Sequence, residues 1–343
     1  MFIVTWLWRL LLLAIMLIGL SAGTLYYGVT QPIMIDEPII YEVKPGYTTT
    51  RIGSQMAARG WIHHSLLMKV ASRLNPQLVL KVGEYELTPQ MNIIDVLNKL
   101  DSGDAVHYRV TLLEGKTTQE YLEALSGQKN IEMTLSGLSS IEISKKLDLP
   151  YPNSEGMFFA DTYLYYKGDT DATILLRSHK KLLEELEEAW GKRNKQTPLK
   201  NSYEALVLAS IIEKETGAAF ERPLISKVFV NRLRKNIRLQ TDPTVIYGLG
   251  RQFDGNLTRA HLRAKTPYNT YRIFGLPPTP IANVGQESID AAVSPGQTDA
   301  LYFVAKGDGT HAFSRTLREH NNAVAEYQRF KRRADYTSSP KQQ

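Results

Sequence analysis

The chain has 343 residues, with 41 Lys and Arg against 35 Asp and Glu, a net charge of +6 and no cysteine. That length accommodates about two or three domains. The lack of cysteine excludes disulfides and thiolate nucleophiles and fits an oxidising compartment; the mild positive charge suits an acidic polymer or a membrane surface, and no nucleic-acid motif accompanies it.

Residues 10–29 are apolar apart from small residues, and about 20 such residues cross a bilayer as a helix. Arg9 precedes the run and Asp36 and Glu37 follow it, so the positive-inside rule puts the N-terminus in the cytoplasm and the rest of the chain outside. Trp6, Trp8, Tyr26 and Tyr27 suit the two interfaces. The rival is a signal peptide cleaved near Ser21-Ala22-Gly23. A retained anchor is preferred, because the run is longer than a signal core and carries aromatics at both ends. Residues 31–39, with Pro32 and Pro38, read as a linker. A small α/β unit follows: strand 40–43, a Pro45-Gly46 turn, helices 50–59 and 65–74, strand 83–87 and helix 93–100. A second strand–turn–helix then starts, with strand 108–112, Gly115 and helix 118–125. YEVKPGYTTTRIG against YRVTLLEGKTTQEYL is either an internal repeat or a coincidence of two similar units. Residues 126–152 are a polar connector.

The segment Glu155-Gly156-Met157-Phe158-Phe159-Ala160-Asp161-Thr162-Tyr163 interleaves carboxylates with aromatics. Sugar sites are built this way, and so are core-lining strands with a solvated Asp. Residues 173–190 form an amphipathic helix whose Glu184, Glu185, Glu187 and Glu188 make a solvated face. The stretch 201–250 organises the rest. Asn201 followed by Glu204 is a capping-box pattern. Residues 205–212 are apolar on nearly every side, so this helix is expected to be buried all round. It ends in Glu213 and Glu215, with Gly217 as a stop. Positions two apart on a helix are roughly 200° apart, so the two acids face opposite ways. Glu215 continues the bulkier line Leu208, Ile211, Ile212, where partial desolvation raises a carboxyl pKa and suits a general acid. A solvated helix end, with Lys214 as salt partner, is the plain alternative.

A helix from Pro223 to about Arg234 follows, with Asn231 on its inner line as either a core amide or a substrate contact. Residues 239–248, 266–271 and 275–278 read as loops dense in hydrogen-bonding groups, the kind of place where sites lie. Residues 301–305 form a strand, Gly307-Asp308-Gly309-Thr310 a hairpin turn with His311 beyond it, and 319–331 the last helix; a disordered polar tail begins at Asp335. No HExxH, P-loop or GxSxG pattern is present, and His311 and His320 have no third partner for a metal. Carboxylates among polar and aromatic loops remain, an inventory that fits glycoside cleavage.

The runs EKETG, LQTDPTVIYGLG, TPYNTYRIFGLPPTPI and GDGTHAFSRTLREHNNAV resemble the YceG-like endolytic murein transglycosylases, over nearly the whole chain to about Lys331. The resemblance implies an α+β protein. Its parts would be a cytoplasmic tip and transmembrane anchor (1–30), a linker (31–39), a small LysM-like module (40–104), a second α/β unit and connector (105–150), a larger mixed α+β catalytic domain (151–334) and the tail (335–343). It implies a single-pass protein of the bacterial inner membrane with its catalytic domain outside the cytoplasm. It implies peptidoglycan strands as substrate, with synthases or division proteins as further partners, and no nucleic acid, metal or cofactor. The essential acid falls on Glu215. Gln240, Asp242, Tyr247, Tyr268, Asn269 and Tyr271 are expected to orient the sugars, with Glu155 and Asn231 as further contacts. Ala160 departs from the proline common in the family at that place. The implied reaction cleaves between N-acetylmuramic acid and N-acetylglucosamine inside nascent strands, leaving 1,6-anhydro ends and terminating elongation. A lysozyme-type hydrolase and a non-catalytic wall anchor are the rival functions.

Overall fold

A computed structural model describes residues 2–330. The expected tail from Asp335, and the end of the last helix at Lys331, lie outside the described residues. The chain divides into two compact units, Met1–Tyr108 with Tyr165–Lys167, and Arg109–Leu164 with Gly168–Gln343.

The first unit begins with α1 (Phe2–Thr30). Its segment Trp6–Thr30 has mean hydropathy 2.0 and is long and apolar enough to cross a membrane. Its side chains from Trp6 to Leu20 are exposed, and burial begins only at its end, where Val29 joins the core of this unit. Next come β1 (Ile39–Val43), α2 (Thr49–Ala58), α3 (Ser65–Leu74), β2 (Gly83–Leu87) and α4 (Ile93–Ser102). β1 and β2 pair antiparallel with Tyr41 opposite Tyr85. The period-two pattern buries Tyr41, Val43, Tyr85 and Leu87 on one face. Ile52 and Met56 of α2, Met68 of α3, and Val96, Leu97 and Leu100 of α4 fill the same core.

The second unit holds β3 (Tyr108–Leu112), α5 (Thr118–Ser126), α6 (Ser140–Lys146), β4 (Asp161–Tyr165), α7 (Asp171–Gly191) and α8 (Ser202–Glu215). The ends of β3 and β4, Tyr108 and Tyr165, belong to the first unit. Then come α9 (Arg222–Arg234), α10 (Asp242–Leu249), α11 (Arg259–Arg263), α12 (Gln286–Val293), β5 (Tyr302–Ala305), β6 (His311–Ser314) and α13 (Leu317–Val324), which a π-helical turn, Ala325–Phe330, continues. β3 pairs with β4 and β5 with β6, so the architecture is mixed α+β with small two-stranded sheets. The core gathers around α8, which packs against α7, α9 and α12. All eight residues 205–212 are buried, so α8 has no wet face and is held by its neighbours rather than by amphipathicity.

The two strand–turn–helix segments share local chemistry. Each strand leads to a glycine in the left-handed region, Gly46 (φ 78°) or Gly115 (φ 71°), and two residues later a threonine caps the helix, Thr48 or Thr117. At Asn201 only half of the expected capping box forms. Its side chain accepts the Glu204 N–H at 2.8 Å, whereas the Glu204 carboxylate accepts from Lys200 N. Residues 239–248 differ from the expected loop. From Asp242 they wind into α10, because Pro243 in the first turn supplies a helical φ and removes an N–H that would have no partner there. The interleaved segment at 155–163 lines the core: Met157 and Phe158 are fully buried, and Asp161 pairs with Lys181. Gly156 (φ 73°) lets this segment pass against Pro280, where a Cβ would collide.

Candidate active site

α8 delivers its two terminal glutamates to different environments, as their helical spacing requires. The Glu213 side chain is 5% exposed and meets the Arg222 guanidinium at 3.4 Å, with Glu114 at 3.5 Å and Glu287 on the same Arg. Glu213 is therefore spent on an ion cluster. Burial was expected to single out Glu215, yet it falls on both acids; the partner separates them. Glu213 faces a cation, whereas Glu215 accepts a hydrogen bond from the Thr241 hydroxyl and has Asp242 as its charged neighbour. Burial pushes the Glu215 carboxyl up from 4.5 to about 7; the Thr241 hydrogen bond opposes this and the Asp242 charge adds to it. Accordingly, Glu213→Gln is expected to keep glycan cleavage within about threefold of wild type, since it stays outside the chemistry. An assay of cleavage products measures this, and inactivity in a folded Glu213→Gln protein would reverse the assignment.

Thr241 is held in place by buried hydroxyls. Its N–H donates to Thr270 Oγ1 at 3.0 Å, Thr244 Oγ1 donates to its carbonyl at 2.8 Å, and the Thr244 and Thr270 hydroxyls lie 2.8 Å apart. Thr241 is 3% exposed, and Thr244 and Thr270 are fully buried. A closed network of this kind fixes the hydroxyl facing Glu215. Gln240, just before it, holds φ 52°. A non-glycine residue there stores backbone strain, of order 1 kcal/mol, that the surrounding hydrogen bonds must hold. Its N–H donates to Thr270 O at 3.1 Å, and its Oε1 accepts from Arg232 Nη1 at 3.2 Å.

Glu215, Gln240, Asp242 and Tyr271 line one cavity of about 580 Å³, and the Tyr271 hydroxyl donates to Asp242 Oδ1 at 2.6 Å. Arg232, Tyr302, His311 and His320 line the same cavity, with residues of the β5–β6 hairpin and α13. The Arg232 side chain is buried, and the protein takes up its Nε and Nη1. The guanidinium donates to the carbonyls of Leu301, Arg238 and Leu239 and lies 4.9 Å from the Tyr302 ring centre. The sequence did not mark Arg232, because an arginine in a basic run reads as surface. Nor does it mark Thr241 and Thr270, which stand inside the family-like runs; their role depends on contacts across 29 residues.

The other expected contacts are seated away from this cavity. Asn269 is fully buried; its amide donates to the carbonyls of His261, Leu262 and Ala264, and its Oδ1 accepts from Tyr271 N. It shapes the loop that carries Tyr271. Tyr247 and Tyr268 pack edge-on at 4.9 Å, and the Tyr268 hydroxyl lies 2.8 Å from Thr279 Oγ1. Asn231 donates to the carbonyls of Thr298 and Ala300, tethering α9 to the segment before β5. Glu155 is 3% exposed and accepts the Thr118 N–H at 3.0 Å; burial pushes its carboxyl up to about 7.

A family profile described as YceG-like matches residues 41–326. An endolytic murein transglycosylase of Bacillus subtilis (strain 168) is 32% identical over 264 residues, 72% of this chain and 73% of that protein. One of Streptococcus pneumoniae (strain ATCC BAA-255 / R6) is 24% identical over 323 residues, 83% of this chain but 57% of that protein. A YceG-like protein of Listeria monocytogenes, known from a 2.6 Å crystal structure, is 29% identical, with 83% of this chain and 98% of that one covered and a TM-score of 0.48.

Proposed function

From the premise that this chain belongs to the YceG-like family, we propose that it is a membrane-anchored lytic transglycosylase that cuts peptidoglycan strands internally. The observation that carries the reading is Glu215: one carboxyl, held at about 7 by burial, on the wall of a cavity it shares with Asp242 and Tyr271. In the first step Glu215, neutral, gives its proton to the oxygen linking N-acetylmuramic acid to N-acetylglucosamine. That C1–O bond breaks, the N-acetylglucosamine end leaves as an alcohol, and positive charge develops at C1. The substrate's own acetamido group assists at C1, so no protein nucleophile is needed. In the second step the Glu215 carboxylate takes the proton from the muramoyl C6 hydroxyl, whose oxygen closes on C1. The product is a 1,6-anhydro ring and no water is consumed. Gln240, Asp242 and Tyr271 orient the sugars. Tyr247, Tyr268, Asn269, Asn231 and Glu155 act from behind by holding the segments that carry them.

Trp6–Thr30 would anchor the chain in the inner membrane with its N-terminus in the cytoplasm, and the two units would work outside. The β–α–α–β order of the first unit supports the LysM-like reading. Cleavage of nascent strands would end their elongation beside the synthases that extend them.

Mass spectrometry of purified glycan strands incubated with the full-length protein in detergent tests the reading. Internal fragments ending in anhydromuramic acid are expected. Fragments one water heavier would make the protein a hydrolase, with Asp242, on the same cavity, as the second carboxylate. Absence of fragments, with binding retained, would leave a wall anchor. The pH dependence follows from Glu215. The acid must be protonated in the free enzyme, so kcat/KM is expected to fall above about 7. Thr241→Val removes the hydrogen bond that favours the carboxylate, so the falling limb moves to higher pH. An unmoved limb in Thr241→Val would detach it from Glu215.

A further inference from the structure

Glu221 and His311 form a buried ionisable pair that the reaction above leaves unused. Glu221 lies in the 3-10 turn Ala219–Glu221 between α8 and α9, and His311 opens β6. Their side chains are 6% and 8% exposed. Glu221 Oε1 accepts the backbone N–H of His311 at 3.0 Å, and Oε2 meets His311 Nδ1 at 2.7 Å. A carboxylate accepting at both oxygens holds a proton on Nδ1, so in the neutral ring Nε2 is the bare, accepting nitrogen. The ring is also held from the side: Phe303 packs edge-on at 5.4 Å and 89°. The hairpin positions it from below, because Lys306 N donates to Thr310 O at 2.9 Å and Thr310 N to Asp308 Oδ1 at 2.9 Å. His311 lines the same cavity as Glu215, and among the described residues Nε2 has no hydrogen-bond partner. A buried carboxylate that orients one imidazole nitrogen, with the other open to a substrate cavity, is the arrangement that aims a histidine at a ligand.

We propose that His311 is a substrate-positioning residue whose Nε2 accepts a hydrogen bond from the bound glycan, with Glu221 setting its tautomer. The glycan groups of the right chemistry are a sugar hydroxyl and an acetamido N–H. This assignment rests on the transglycosylase reading of the cavity. No proton transfer is given to His311, since Glu215 performs both.

Glu221→Gln is the informative variant. Its amide oxygen can still accept the His311 backbone N–H, while its NH₂ donates to Nδ1. The ring proton then moves to Nε2, and the acceptor facing the cavity becomes a donor. In full-length protein in detergent, Glu221→Gln is expected to raise KM about tenfold or more with a smaller change in kcat, the scale of one lost hydrogen bond to a buried partner. Placed in the Glu215→Gln background, which should bind strands without cutting them, it should weaken strand affinity by a similar factor. Nitrogen NMR of ¹⁵N-histidine protein should show His311 protonated at Nδ1 in wild type and at Nε2 in Glu221→Gln, with the wild-type Nε2 signal moving when strands bind. De-N-acetylated strands separate the two donors: the affinity difference disappears with them if the acetamido N–H is the partner and persists if a hydroxyl is. His311→Phe should match Glu221→Gln in affinity, and if it fails to fold the isosteric Glu221→Gln decides. Wild-type affinity in folded Glu221→Gln, or an Nε2-protonated His311 in wild type, would overturn the assignment alone. A wild-type protein that neither cuts nor binds strands would overturn the transglycosylase reading and this assignment together.

Discussion

Glu215→Gln is expected to lower glycan cleavage by about 10³-fold or more, because one residue serves as acid in the first step and as base in the second. The same replacement should stabilise the protein, and the pH dependence separates the two effects. In the folded chain burial raises the Glu215 carboxyl from 4.5 to about 7. Below 4.5 it is neutral in both the folded and the unfolded state, so the replacement changes little. As pH rises from 4.5 through 7 the unfolded chain ionises first, and the folded state loses relative stability. Gln cannot ionise. Glu215→Gln is therefore expected to match wild type in stability below pH 4.5 and to exceed it at pH 8 by about 1–3 kcal/mol, read as a higher Tm. Thermal unfolding at the two values measures this beside the cleavage assay. Part of the pH dependence should survive in the variant, because the buried Glu155 carboxyl is raised to about the same value. A folded Glu215→Gln protein that still cuts strands would remove the acid from the mechanism.

Arg222→Leu is expected to cost about 3–5 kcal/mol, the scale for breaking a buried charge cluster by removing its cation. Arg222 stands between Glu114, Glu213 and Glu287, with Glu213 more deeply buried than either other acid. Without the guanidinium, three carboxylates face one another. The cost should depend on pH. The Glu114 carboxyl is already raised, by burial first and by Glu213 second, while Arg222 draws it down. Removing Arg222 raises it further, so the variant recovers stability as pH falls and the acids take up protons. Denaturant midpoints at pH 5 and pH 8 should show the larger deficit at pH 8; equal deficits would mean that packing rather than charge holds this end of α8. Arg222→Leu combined with Glu213→Leu should recover part of the loss, because it leaves one fewer buried carboxylate uncompensated.

Elements whose causes are local could be read directly from the chain. The apolar run of α1, the alternation in β1 and β2, the threonine caps of α2 and α5 and the turn before His311 each depend on residues a few positions apart. Residues 205–212 were legible as a helix buried all round because every side of it is apolar. The family motifs also marked Glu215 directly. The tertiary structure decided what lies opposite each of these residues. Glu213 and Glu215 are equivalent in composition and both largely withdrawn from solvent; an arginine from α9 occupies one and a threonine from the turn before α10 meets the other. Arg232 and His311 reach the cavity only because α9 and the β5–β6 hairpin meet across about seventy residues or more of chain. Asn269 and Glu155 carry polar groups suited to sugar, but backbone donors and acceptors from neighbouring segments take them up. Spacing along the chain fixes which way a side chain leaves its element; only packing fixes the partner it finds, and the partner determines whether a carboxyl is an ion, a structural acceptor or an acid.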